Sequence, residues 1–215
     1  MNIKTAVGAA LIGLMASTSG ASALDTSSIT KPASTKAYFE KEYGKTLPPI
    51  GYVQFCASNQ NECKASGGAD EKLEMTPERW NLVYQVNTYV NGKVAPISDQ
   101  ELYGEPERWT YPTDAGDCED YVLLKKRFLQ GLGFAQEALL ITVVLDEKGE
   151  GHAVLSVSTD NGDFILDNRR NDVLRWNKTD YTFLKRQSQV NPLQWVALVS
   201  NETMASNTIT TKARH

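Results

Sequence analysis

The chain has 215 residues, enough for one domain with a proper core. Twenty-two Lys and Arg stand against 26 Asp and Glu, a formal charge of −4. That weak acidity argues against nucleic acid as a partner and favours no particular substrate.

The first 23 residues read as a secretory signal peptide. Lys4 gives a short positive start, an apolar run follows from Ala6 to Met15, and Ala21-Ser22-Ala23 forms an A-x-A cleavage site. A retained N-terminal anchor is the alternative, but the run is short and ends in small and polar residues. Cleavage after Ala23 removes Lys4 and moves the charge from −4 to −5. No later stretch is long enough to span a membrane.

From Leu24 to about Thr35 the chain is polar and Ser/Thr-rich, a flexible start. KAYFEKEYG reads as a short helix ending at Gly44. KTLPPIGYVQFC carries two prolines and then an alternating pattern, which predicts an extended or loop-like run. ASGGADEK is a loop. Thr76-Pro77-Glu78-Arg79 starts a helix, with Thr as cap and Pro in the first position. Trp80, Val83, Val86 or Asn87, and Val90 continue it, and Asn91-Gly92 stops it. Ala95 to Ala115 is irregular.

A helix after Asp117 carries Tyr121, Leu124, Phe128 and Leu132 on one stripe, and Gly131 and Gly133 end it. ALLITVVLD is a buried strand. EKGEG turns into HAVLSVS, with Ala153, Leu155 and Val157 on one face and His152, Val154 and Ser156 on the other. TDNG turns into a third strand, DFILD, and LQWVALVS is a fourth. The tail after Asn201 is polar. The chain thus divides into residues 1–23, an N-terminal segment 24–46, a domain 47–200 and a tail 201–215. Helices first and an antiparallel meander after them define an α+β fold.

Cys56 and Cys63 lie close together in FCASNQNEC, and in an exported chain a local disulfide is the natural reading. A zinc site would want four ligands, and the chain offers only two histidines, one of them the last residue. Pairing Cys56 with Cys63 leaves Cys118 over, as a buried residue or a functional thiol.

Cys118 sits at a helix start, where backbone N–H groups and the helix dipole favour a thiolate. If it has a histidine partner, that partner is His152. Asp167 closes the third strand after an apolar run and needs a partner of its own. A two-residue Asn161-Gly162 turn sets Asp167 opposite Ser156, roughly 13 Å along the strand from His152. A four-residue turn sets it opposite Val154, a diagonal neighbour within reach. The bland alternative is a core cysteine, a satisfied strand histidine and a strand-ending Asp.

GDCEDYVLLKKRFLQGLG, GEGHAVLSV and GDFILDN occur in this order. With FC and its nearby second Cys, WNLVYQVNTYVN and YGEPERWTYP, they run in register from about Pro48 to Val199. In these motifs the chain resembles the bacterial transglutaminase-like cysteine proteinases. The resemblance implies a papain-like, transglutaminase-like core with Cys118 as nucleophile, His152 as base and Asp167 as the orienting residue. The oxyanion donors would include the N–H of Cys118, with Trp109 as a second contributor or only a packed aromatic. The resemblance further implies a periplasmic protease that cuts a protein substrate, of which a large surface adhesin is the family's example. It also implies an inner-membrane regulatory receptor as partner, and calcium held by Asp117 and Glu119 with Asp120. Calcium would offset the carboxylates beside the thiol. Otherwise those carboxylates only complement the helix dipole. A transglutaminase or amidase would use the same three residues, and a binding module would keep the fold without the chemistry.

Overall fold

A computed structural model of the chain describes residues 38–67 and 72–200. The stretch expected to be a signal peptide, the Ser/Thr-rich start and the tail after Asn201 lie outside the described residues. None of the described helices is long and apolar enough to cross a membrane.

The described chain enters in extended form. The helix expected up to Gly44 is absent from 39–43, and β1 (Lys45–Thr46) follows instead. The reason is tertiary. Tyr43 N donates to Ala197 O at 2.8 Å, and Arg186 draws in both acidic side chains of the segment. Its guanidinium lies 3.1 Å from Glu40 Oε2, 2.9 Å from Glu42 Oε1 and 3.2 Å from Asp163 Oδ2. Burial pushes Glu40 up to about 7, against the pull of Arg186.

Pro49 precedes α1 (Ile50–Ser58), so the second half of KTLPPIGYVQFC is helical, not extended. Tyr52, Phe55 and Cys56 are buried at helical spacing, and the two prolines sit where a helix tolerates them, just ahead of its first turn. A disulfide joins Cys56 to Cys63, with Cα atoms 5.7 Å apart, and ties α1 to the 3-10 turn Gln60–Cys63.

Helix α2 (Pro77–Lys93) begins as its sequence asks, with Thr76 accepting from Arg79 N at 3.3 Å. It runs on through Asn91-Gly92 to Lys93, because the Asn91 side chain reaches out to another element instead of turning back as a cap. The region read as irregular holds α3 (Asp99–Tyr103), started by a capping box between Ser98 and Glu101 and closed by Gly104 at φ 70°. On either side of α3, β2 (Ala95–Pro96) pairs in parallel with β3 (Ala115–Gly116). Helix α4 (Cys118–Gly131) buries Tyr121, Val122, Lys125 and Leu129. The expected stripe is therefore misplaced: Phe128 and Leu132 are 38% and 48% exposed. Lys125 carries the buried line onward, a residue that hydropathy would not assign to a core.

The sheet has seven strands in the order β1-β9-β8-β4-β5-β6-β7, and every pairing is antiparallel. The strands are β4 (Leu139–Leu145), β5 (Gly151–Thr159), β6 (Gly162–Asp167), β7 (Arg170–Arg175), β8 (Thr182–Gln187) and β9 (Trp195–Ala197). Strands β7 and β8 escaped the sequence reading, since both are rich in charged residues and only partly buried. Along β5 the alternation holds. Ala153, Leu155 and Val157 join the main core with Val83, Val90 and Leu129 of the helices. Val154 joins a second cluster with Val144, Ile165 and Phe183. Each fully buried aliphatic here contributes about 1.5–3 kcal/mol.

Cys56 and Cys63 are both buried in the main core, so their bond closes a short loop over packed residues. Replacing both with Ser should lower unfolding free energy by about 2–3 kcal/mol in denaturant titrations. Turnover of the folded variant should stay within about twofold of the parent. A large loss of turnover at full folding would show that the loop takes part in the chemistry.

Candidate active site

The first turn of α4 is built around acidic side chains. Asp117 takes the cap position but makes no side-chain cap bond; its Oδ2 accepts from Asp99 N at 3.2 Å. Asp120 Oδ1 accepts from Thr110 N at 2.8 Å, and Asp99 Oδ2 accepts from Arg108 N. These bonds hang the 104–112 loop on carboxylates. Gly116 leaves room for Asp120: a Cβ there would lie 2.5 Å from Asp120 Oδ2.

Cys118, the first residue of α4, is the free thiol among the described residues. Cys118 packs against the main core, which Ala153, the residue after His152, also joins. The thiol donates to Glu119 Oε2 at 3.2 Å. His152 is buried, and its Nε2 lies 2.9 Å from Asp167 Oδ1. Asp167 also accepts from Tyr181 Oη at 2.5 Å and from Arg169 N at 3.0 Å. With Nε2 engaged by Asp167, Nδ1 is the ring nitrogen left for proton exchange.

The register is the one that sets Asp167 opposite Val154, but the turn is a two-residue one shifted back by one position, not a wider one. Thr159 pairs with Gly162, so the turn residues are Asp160 and Asn161 rather than Asn161 and Gly162. Leu155 pairs with Leu166, and one step on Asp167 stands opposite Val154, diagonal to His152. Gly162 leaves the turn at φ 122°, with its Cβ position 2.6 Å from Tyr38 O, so a side chain there is excluded twice over.

Electrostatics divide the site in two. Burial works to raise Asp167, but hydrogen bonds from His152, Tyr181 and Arg169 overcome it and hold the carboxylate at about 2. Around the thiol the balance is reversed. Burial pushes Cys118 well above the ordinary thiol range, and Glu119 adds to it by charge and by hydrogen bond. Burial and a hydrogen bond with Asp117 push Glu119 up to about 9. Burial raises Asp120 to about 7, and it raises Asp99 as well.

Asp99, Asp117 and Glu119 offer carboxylate oxygens that all lie within 4.8 Å of one another. Asp99 Oδ1 and Asp117 Oδ1 are buried without a hydrogen-bond partner. Crowded, unpaired oxygens of this kind suit a hard divalent cation. Of the expected ligands, Asp117 and Glu119 are thus brought together. Asp120 stands outside that trio, with one oxygen bonded to Thr110 N. Asp99 has no local sequence signal: it lies 18 residues before Asp117, and the parallel pairing of β2 with β3 brings the two close. Trp109 is a packed aromatic, edge-on to Tyr52 at 5.7 Å. Its indole N–H donates to Glu107 Oε1 at 2.7 Å, so the second oxyanion donor expected from it is engaged elsewhere.

A thiol at a helix start, packed on an antiparallel sheet that carries a linked imidazole and carboxylate, is the papain-like, transglutaminase-like arrangement. Residues 42–203 match the model of the bacterial transglutaminase-like cysteine proteinases, and the chain belongs to that family of cysteine peptidases. Solved structures of Legionella pneumophila LapG are similar to it. The EGTA-treated form has 23% identity and a TM-score of 0.45, covering 53% of this chain and 64% of LapG. The calcium-bound form has 19% identity and a TM-score of 0.49, covering 63% and 82%. A third LapG structure has 20% identity and a TM-score of 0.49, covering 66% and 81%. Among curated proteins no match is found.

The Asp167 carboxylate gives a pH signature. Its folded pKa of about 2 lies below the ordinary value near 3.9. Its contribution of about 2 kcal/mol is therefore fully present above pH ~4 and lost as pH falls through about 2. The difference in unfolding free energy between the parent and Asp167→Asn should shrink over that window. A difference independent of pH would mean that the carboxylate charge is not what His152 and Tyr181 hold.

Proposed function

We propose that this cysteine peptidase hydrolyses peptide bonds through Cys118, His152 and Asp167. The observation that carries the reading is the free thiol at the head of α4, a helix packed on β5, the strand of His152, whose ring is held by Asp167 at 2.9 Å. The Cys118 sulfur attacks the carbonyl carbon of the substrate, and its proton passes to His152 Nδ1. The imidazolium returns that proton to the leaving amine, which departs and leaves a thioester. Water then adds to the thioester with His152 as base, releasing the acid and restoring the thiol. Asp167 holds the ring through Nε2 and stabilises the imidazolium. The Cys118 N–H, free at the start of a helix, is an oxyanion donor.

Asp99, Asp117 and Glu119 would hold calcium. They are all-oxygen donors with two orphaned buried oxygens, which fits a hard cation. Bound there, calcium supplies positive charge beside the thiol. The signal-peptide pattern and the buried disulfide support export to the periplasm, where a protein substrate would be met. A large surface adhesin is the substrate class we favour, with an inner-membrane receptor as regulator. Both follow from the family resemblance.

The direct test is turnover of a quenched peptide library by pure protein. Cys118→Ala and His152→Ala should each lower kcat by about 10³-fold or more with folding retained. Full activity of folded His152→Ala would overturn the reading. In calorimetry, Asp99→Asn should weaken calcium binding by about tenfold or more, and more than Asp120→Asn does. The reverse order would move the cation site towards Asp120.

A further inference from the structure

The asparagines of WNLVYQVNTYVN have no part in the chemistry above, yet two of them face the turn that carries Asp167. Asn87 and Asn91 stand one helical turn apart on α2. Asn91 Nδ2 donates to Asp167 O at 2.9 Å, to Arg170 O at 2.9 Å and to Asn171 Oδ1 at 3.1 Å. Asn87 Nδ2 donates to Arg170 O at 3.1 Å and to Asn171 O at 3.0 Å, and not to Asp167. Backbone carbonyls only accept, so both amides are oriented with nitrogen towards the turn. Their own oxygens are buried without a partner. The amides use their donor halves on the turn and leave their acceptor halves unpaired, an arrangement that packing alone would not select.

The turn needs such a hold. Strand pairing from β6 to β7 shifts register between Ile165 and Asp167, so the ladder is irregular just before the Asp167–Arg170 pair that closes the turn. On its far side, Arg169 ties the turn to Asp146 at 2.8 Å. Asn91 grips the carbonyl of Asp167 itself, and the carboxylate of that same residue meets His152 Nε2. A small rotation of this peptide would swing Oδ1 off the imidazole.

We propose that Asn91 is a positioning residue for the peptidase reaction: its side-chain amide sets Asp167 at the His152 ring, and Asn87 serves only to hold the turn. This rests on the reading of Asp167 as the residue that orients His152.

Asn91→Ala and Asn87→Ala provide the test, since alanine favours helix at both positions. Both variants should lose stability. Asn91→Ala should lower kcat by about 10- to 100-fold with KM within about twofold, and Asn87→Ala should leave kcat within about threefold. The effect of Asn91→Ala on kcat should vanish in an Asp167→Asn background. Nuclear magnetic resonance of the ring proton between His152 Nε2 and Asp167 gives a readout without turnover. The signal should shift or vanish in Asn91→Ala and stay in place in Asn87→Ala. Equal losses of kcat in the two variants, or an unmoved ring proton in Asn91→Ala, would overturn the proposal. If Asn91→Ala does not fold, Asn91→Gln, which moves the amide out by one methylene, is held to the same outcomes. If Asp167→Asn itself keeps full kcat, the orienting role of Asp167 falls, and Asn91 is judged on the ring proton alone.

Discussion

Four carboxylates crowd the first turn of α4, and the site is organised around keeping them there. Asp99, Asp117, Glu119 and Asp120 stand close enough to perturb one another, and all but Asp117 are buried. A helix N-terminus tolerates acidic residues, but not this many out of water without further partners. Backbone donors from the 104–112 loop meet part of the demand, through Arg108 N and Thr110 N. The loop is in turn held by those bonds, so its fold and the acidic cluster are one feature. What remains is three buried oxygens with no donor, on Asp99, Asp117 and Asp120, and a thiol whose hydrogen bond runs to Glu119. In that arrangement the thiol proton is directed at a carboxylate. A cation on the cluster would engage Glu119 and supply the charge that burial has removed.

The other half of the site is set by the sheet. The hairpin from β5 to β6 fixes which residues can meet, and its turn at Asp160-Asn161 gives the one register in which Asp167 is diagonal to His152. Around that pair the donors are complete: Tyr181, Arg169 and His152 all serve the Asp167 carboxylate. The contrast is informative. The imidazole–carboxylate pair is finished by the protein alone, while the acidic cluster beside the thiol is not. The difference leaves an ordered imidazole beside a thiol that is hydrogen-bonded to Glu119.

Much of this was legible in the residues. The apolar alternation of HAVLSVS gave the faces of β5, and DFILD gave β6, because buried strands write their pattern in hydrophobic residues. Thr76-Pro77 gave the start of α2. Cys118 and His152 could be singled out because cysteine and histidine are scarce in the chain, and Asp167 because it closes an apolar strand. What failed did so for physical reasons. The stripe on α4 was misplaced because Lys125 is buried, and β7 and β8 were missed because their charged residues are half-covered by neighbours. Asp99 has no local signal at all; it reaches Asp117 through a two-residue parallel pairing that no periodicity announces. Asp120 stands next to the trio, with one oxygen on Thr110 N and the other buried without a partner.

The central claim is that the acidic cluster restrains Cys118 until a cation occupies it. The most direct measurement is the alkylation rate of Cys118 by iodoacetamide at fixed pH, with calcium and with a chelator, in protein kept folded throughout. Cys56 and Cys63 are in a disulfide, so the reagent reports on Cys118. The account predicts labelling about tenfold or more faster with calcium, and loss of that acceleration in Asp99→Asn. Equal rates in calcium and chelator, at calcium concentrations where calorimetry shows the site filled, would contradict it.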